Sequence, residues 1–498
     1  MAPDHDLDEG APSRARHDRR ASTASREYNA PESYRNLDDS LAPIHRPPPQ
    51  HASTFPLSHQ RRHSHPRRES TAARPSYDVP DTYANLGETA DVSPVQNPYE
   101  QPIRRFTSLE QVRSQEQEFA REQKLQRRQS LAEGRPPEPE KPEEGKFEVS
   151  RLATQLYTVS YLILFSILGT LARLGLQALT TYPGTPILFA SIWPNFAGSM
   201  VMGFLAEDRM LFREHDPSSS STDEENGTSS AAAKKAHAAL KKTIPLYIGL
   251  ATGFCGSFTS FSAFIRDTFL ALSNDLHASS PTSQTTPRNG GYSLLALLSI
   301  PIITISLALS ALFTGAHLAI FLAPVTPSLP PALRKLLDNA AVLLGWGCWL
   351  GAVLMSILPP ANHADWRGKV LFALVFAPLG CLVRFYLSLR LNGMVAAFPV
   401  GTFVVNILGT AVLGMAWDLA HSGVVGGGVV GCQVLMGLQD GFCGCLTTVS
   451  TWVGELAALR RRHAYVYGGA SVVGGLVVLV AVMGGLRWSG GYERGACG

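Results

Sequence analysis

The sequence predicts an all-α polytopic membrane protein, built as two four-helix inverted repeats joined by a linker transmembrane helix and preceded by a disordered N-terminal tail. Three observations predict it. From about residue 146 onward the chain is a series of long apolar segments. Two stretches of that region echo each other in order and spacing. One further apolar segment lies between the echoes, and an odd connecting helix reverses the direction of the second copy.

Residues 1–150 are polar and rich in Arg, Ser, Pro, Glu and Gln, with too little apolar surface to build a core, so they are expected to be a disordered cytosolic tail. Arg-Arg-x-Ser patterns recur there at Ser64, Ser70 and Ser130, which suits basophilic kinases as partners, since phosphate at such sites changes local charge by nearly two units. A plain solvated tail is the alternative. Residues 107–130, with Leu109, Val112 and Phe119, are expected to form a short charged helix. No apolar run opens the sequence, so the first span is expected to act as the insertion signal. The whole-chain figures of 45% hydrophobic and 17% charged residues average this tail with the rest, so the net charge of +3 says nothing about partners.

A membrane helix needs about 20 apolar residues. Such segments fall near 157–179, 187–206, 244–274, 292–322, 340–358, 368–389, 398–420, 429–459 and 464–486. The division is a first four-helix domain at 151–325 with a polar cytosolic loop insertion at 207–243, a linker with its helix at 326–362, and a second, inverted domain at 363–498. With the N-terminus cytosolic, the cytosolic loops hold Arg209, Arg213, Lys234, Lys235, Lys241, Lys242, Arg334, Lys335, Arg390 and Arg460 to Arg462, and the opposite side holds fewer basic residues, as the positive-inside rule requires.

The repeat is specific. Gly169-Thr170-Leu171-Ala172-Arg173 matches Gly380-Cys381-Leu382-Val383-Arg384. Asn195 and Asn406 stand equally far beyond the two Arg residues. GFCGSFTSFSAF, Gly253 to Phe264, matches GFCGCLTTVSTW, Gly441 to Trp452, and an acid follows each, Asp267 and Glu455. A Gly- and Thr-rich run in mid-membrane is poor helix, and its unwound carbonyls suit a small cation; a simple kink for close packing is the alternative. An intramembrane Asn amide can donate to an anion or bridge helices. Phe261 and Phe264 share a helix face, and aromatic ring edges are electropositive. Arg173 and Arg384 lie within apolar helices, where an Arg is either functional, paired or snorkelling. The seven scattered Cys residues read as small packing residues with no disulfide framework. No metal cluster, nucleophile elbow or phosphate loop stands out, so neither an enzyme nor a nucleic-acid binder is indicated.

Over residues 155–487 this ordered set resembles the Fluc/CrcB/FEX family of fluoride channels, in its eukaryotic fused two-domain form. The resemblance implies a fluoride-selective passive channel that exports cytosolic fluoride across the plasma membrane as a single-chain pseudo-dimer. By resemblance the fluoride pore involves Asn195, Asn406, Phe261, Phe264, Thr259, Ser262, Tyr467 and Ser471. A structural Na+ is implied on the carbonyls of Gly256, Thr259, Gly444 and Thr447, and a conduction vestibule is implied at Arg173 and Arg384. In the first half the last-helix polar track corresponds to Ser299, Thr304, Ser306 or Ser310. The second half departs from the pattern: Val449 and Trp452 stand where the paired Phe residues belong. Two unequal pathways are therefore expected, one of them degenerate at Val449 and Trp452, with Phe264→Ile abolishing export and Trp452→Ile costing much less. A coupled transporter of another small ion, or a membrane scaffold with a regulatory tail, are the rival readings.

Overall fold

The computed structural model describes Tyr77 and residues 150–492, apart from 183, 188, 213–239, 277–287, 359–366, 396 and 423–427. All of these belong to one compact unit, Thr71–Gly498. The tail with its kinase sites and its expected helix, and most of the 207–243 insertion, lie outside the described residues.

Helix α1, Arg151–Thr180, starts where Ser150 caps the Ala153 N–H. Helix α2, Ile192–Glu207, has 16 residues, about 24 Å of rise, which is short of a hydrocarbon core of about 30 Å. The third span is interrupted: α3 (Pro245–Ile248), a π-helical stretch Gly249–Cys255, α4 (Gly256–Phe258), an extended Thr259 and Ser260, then α5 (Phe261–Ser273). Helix α6, Gly290–Leu322, closes the first half. It lies close against α2 because Gly203 faces the Leu312 carbonyl and Gly315 faces the Met200 carbonyl, and no side chain larger than hydrogen fits at either place.

Helix α7, Pro331–Ile357, is the linker. Its Trp346 donates to Ser160 of α1 at 3.1 Å and its Trp349 to the Val375 carbonyl at 3.0 Å, so it touches both halves. Near its start Asp338 is buried and accepts from Tyr161 (3.1 Å) and from Tyr77 (2.8 Å).

The second half repeats the first: α8 (Phe372–Leu391), α9 (Val400–His421), then α10 (Gly428–Gly437), a π-helical stretch Leu438–Cys443, α11 (Gly444–Leu446) and α12 (Ser450–Ala458), and last α13 (Arg461–Ser489). Among the described residues eight helical spans are long and apolar enough to cross a membrane, against the nine expected; α2, at 16 residues, falls short of that length. Large apolar side chains such as Leu295, Ile302, Phe321, Leu343 and Val473 project outward, as a lipid-facing surface demands. The Cys residues at 255, 381, 443 and 445 are free and buried, in keeping with packing roles, whereas Cys432 is disulfide-bonded.

Candidate functional site

The two interrupted spans meet at the centre, and each is completed by the other half. The Thr259 hydroxyl accepts the N–H groups of Val449 and Ser450, both at 3.1 Å, and the Ser450 hydroxyl donates to the Cys255 carbonyl at 3.1 Å. The mirror set is present: the Thr447 hydroxyl accepts the Ser262 N–H at 3.0 Å, and the Ser262 hydroxyl donates to the Cys443 carbonyl at 3.5 Å. Equivalent residues exchanging equivalent bonds is the signature of a two-fold interface, here within one chain.

The Asn residues shape the interruptions. Asn195 accepts the Ser260 N–H at 2.9 Å and donates to the Ser260 carbonyl at 3.4 Å. Asn406 does the same to Thr448, at 2.9 and 3.2 Å. In an unbroken helix those N–H groups would bond to Gly256 and Gly444. The capping residues Ser260 and Thr448 likewise take the N–H groups of Ala263 (3.3 Å) and Thr451 (3.4 Å), which would otherwise serve Thr259 and Thr447. The four carbonyls of Gly256, Thr259, Gly444 and Thr447 are thus deprived of their usual helical donors at the meeting point of the two halves. An oxygen-only set of this kind fits a small hard cation.

Arg173 and Arg384 lie between the halves, each only 2% exposed, so neither snorkels to an interface. Arg384 donates to the Thr252 carbonyl at 2.8 Å and covers Gly256; Arg173 donates to the Asp440 carbonyl and covers Gly444. Each guanidinium reaches out of its own half onto the π-helical stretch of the other. Arg173 Nη1 and Arg384 Nε and Nη1 have no hydrogen-bond partner.

On either side of this centre runs a polar and aromatic track. The buried positions of α13, namely Tyr467, Ser471, Gly475 and Leu479, recur in α6 as Ile300, Thr304, Ala308 and Leu312. Thr304 is therefore the first-half counterpart of Ser471, while Ser299, Ser306 and Ser310 face outward. The aromatic residues are shared across the halves. Helix α5 packs on α9 and α13, and α12 packs on α2 and α6. The Phe261 ring lies 3.3 Å from where a Cβ on Gly475 would stand, and it meets Trp452 edge to face at 5.3 Å. Phe261 also meets Phe264 edge to face at 5.6 Å. The Phe261 ring thus lies against Trp452 of α12 and Gly475 of α13, and Phe264, packed on Phe261, is the repeat's counterpart of Trp452, as Val449 is of Phe261.

A cluster absent from the sequence reading closes one end of the second-half track. Glu455, 4% exposed, accepts from Thr402 at 2.6 Å and from Tyr467 at 2.7 Å. The first-half counterparts, Asp267 and Ser191, leave Asp267 Oδ2 and Ser191 Oγ unpartnered. Asp267 Oδ1 instead accepts from Arg266 at 3.1 Å, and Ile300, with no hydroxyl, stands where Tyr467 donates in the second half. The repeat itself carried this signal, since Thr402 precedes Asn406 by the same interval as Ser191 precedes Asn195.

The architecture defines a class: a membrane protein with an inverted internal repeat whose interrupted helices cross at the middle, the arrangement that builds ion pathways. The comparisons give the particular family. The profile described as CrcB-like protein, Camphor Resistance (CrcB), matches residues 160–316 and 371–485, once in each half. The chain is 59% identical to Fluoride export protein 1 of Neurospora crassa over 474 residues, 88% of this chain and 89% of that one. It is 32% identical to Fluoride export protein 1 of Candida albicans over 66% of this chain and 79% of that one. The Fluoride-specific ion channel FluC of Geotalea daltonii is 36% identical over 110 residues, 22% of this chain and 86% of the bacterial protein. No solved structure matches. The chain belongs to the CrcB family and is a multi-pass membrane protein.

Proposed function

We propose that this chain is a fluoride-selective passive channel that exports cytosolic fluoride. One observation carries the reading: two helix interruptions that complete each other across a two-fold, each flanked by hydroxyls and aromatic edges, in a chain similar along most of its length to a fluoride export protein. Hydroxyl donors and ring edges replace part of the hydration shell of a small anion without the tight hold of a paired charge. An inside-negative membrane drives the anion out with about 2.3 kcal/mol per 100 mV. No bond is made or broken, so the protein is not an enzyme. The plasma membrane is the proposed location, with the N-terminus in the cytosol and the Arg-Arg-x-Ser sites of the tail open to basophilic kinases. The four central carbonyls are the proposed seat of a structural Na+, and Arg173 and Arg384 brace them from both flanks.

The two pathways are unequal. The second-half track holds Phe261, Trp452, Tyr467 and Ser471; the first-half track has Ile300 and Val449 at the equivalent places and keeps Phe264 and Thr304. We therefore assign most conduction to the second-half track, and reverse the expectation that Phe264 dominates. The test is voltage-driven efflux from liposomes carrying the purified chain, with K+ and valinomycin setting the potential and a fluoride electrode reading the loss. Rapid loss of fluoride with little loss of chloride is expected. Absence of fluoride flux from folded protein would sink the channel, and flux that follows an imposed pH gradient rather than voltage would favour a coupled transporter. Phe261→Ile should lower the flux well below Phe264→Ile; equal losses would remove the asymmetry.

A further inference from the structure

Trp452 stands where the repeat places Phe264 in the other half; the indole is larger than a phenyl ring, and its one polar addition is an N–H. That group is buried within a side chain of 0% exposure, and Nε1 has no hydrogen-bond partner. An indole N–H donates only, so it needs an acceptor. No neighbouring oxygen takes it. The Glu455 oxygens accept from Thr402 and Tyr467 instead. The Ser471 hydroxyl donates to the Tyr467 carbonyl at 2.8 Å, and its oxygen does not accept from the indole. The ring is fixed on two sides: its face or edge meets Phe261 at 5.3 Å with the planes at 73°, and Cζ2, on the same ring edge as Nε1, lies 4.0 Å from where a Cβ on Gly468 of α13 would stand. The donor edge is therefore turned toward α13 at Gly468, the residue after Tyr467.

We propose that the Trp452 indole N–H is an anion donor that gives a hydrogen bond to fluoride as the ion passes between Phe261 and Ser471. The inference rests on the fluoride-channel reading and deepens it. A neutral donor holds an anion without cancelling its charge, so the ion is bound and released rather than trapped. The strongest acceptor among the halides gains most from such a bond, so Trp452 favours fluoride over chloride. The first-half counterpart, Phe264, supplies a ring edge and no donor, so the second-half pathway binds the ion more tightly. Trp452 is thus an addition to the pathway and not a degenerate position.

The full chain, labelled with 15N at the indole nitrogens and held in lipid nanodiscs, provides the test. Seven tryptophans are present, so the Trp452 signal is assigned by its loss in Trp452→Phe. Sodium fluoride should move the Trp452 indole proton downfield, and equal sodium chloride should leave it in place. In liposomes, Trp452→Phe keeps an aromatic ring and loses the donor; the half-saturating fluoride concentration should rise about three- to tenfold, the worth of one hydrogen bond. Fluoride flux with an unmoved indole signal and an unchanged half-saturating concentration would overturn the proposal while leaving the channel intact. No flux from either protein would instead mean that the channel reading had failed, and the proposal with it.

Discussion

At Gly256 and Gly444 a methyl group would fall on a guanidinium of the opposite half. Arg384 and Arg173 cannot simply withdraw, because each holds a carbonyl of the π-helical stretch. Gly256→Ala and Gly444→Ala should therefore cost about 1–3 kcal/mol by overpacking and lower the fraction of protein eluting as a single folded species. Gly347→Ala in α7, where a Cβ would meet nothing within 4 Å, should leave the elution unchanged. The glycines themselves were legible in the sequence as members of the echoed run. Their partners were not, because a Gly in a Gly-rich segment gives no hint of what stands opposite. The same holds for Phe261 and Phe264: their shared helix face follows from spacing, but the packing of the Phe261 ring on α13 and α12 follows from residues that lie far along the chain.

The interrupted spans are held open by bonds to neighbouring helices more than by the poor helical propensity of their residues. Asn195 and Asn406 each grip one residue of the break through both an N–H and a carbonyl. Asn195→Leu and Asn406→Leu should each strand a buried N–H and destabilise the fold by about 1–3 kcal/mol, seen as similar drops in melting temperature in detergent. A markedly smaller drop for one would show that its half does not depend on the clamp. A second clamp ends α2, where the Lys241 ammonium donates to the carbonyls of Leu205 (2.7 Å), Ala206 (3.0 Å) and Asp208 (2.8 Å). Burial pushes the Lys241 pKa down to about 8, while the nearby Asp208 and Glu207 favour its charge. Lys241→Met should uncover three helix-end carbonyls and speed proteolysis beside α2, and Lys241→Arg should spare it in part. The breaks were foreseeable from Gly, Cys and Thr in mid-membrane, whereas Lys241 looked like one more loop charge of the positive-inside pattern.

Neither half is complete by itself, since the hydroxyl that seats each break comes from the other. Residues 151–325 and 363–498 produced as separate chains should copurify when made together. Either made alone should be degraded or aggregate, and stable accumulation of a lone half would contradict the cross-half bonds as the source of its order. The scale of the whole was the most legible from sequence, because apolar length, loop charge and an odd linking helix are cumulative signals. What stayed hidden was which residues face each other at the centre. The joining of the halves by α7 has one more consequence. In a symmetric pair made from one gene, any change at the position of Trp452 would occur twice. Here the two copies are written separately, so Trp452 can differ from Phe264 and Val449 from Phe261. With both routes carried in one chain, a substitution reaches each singly, and one can change while the other is kept.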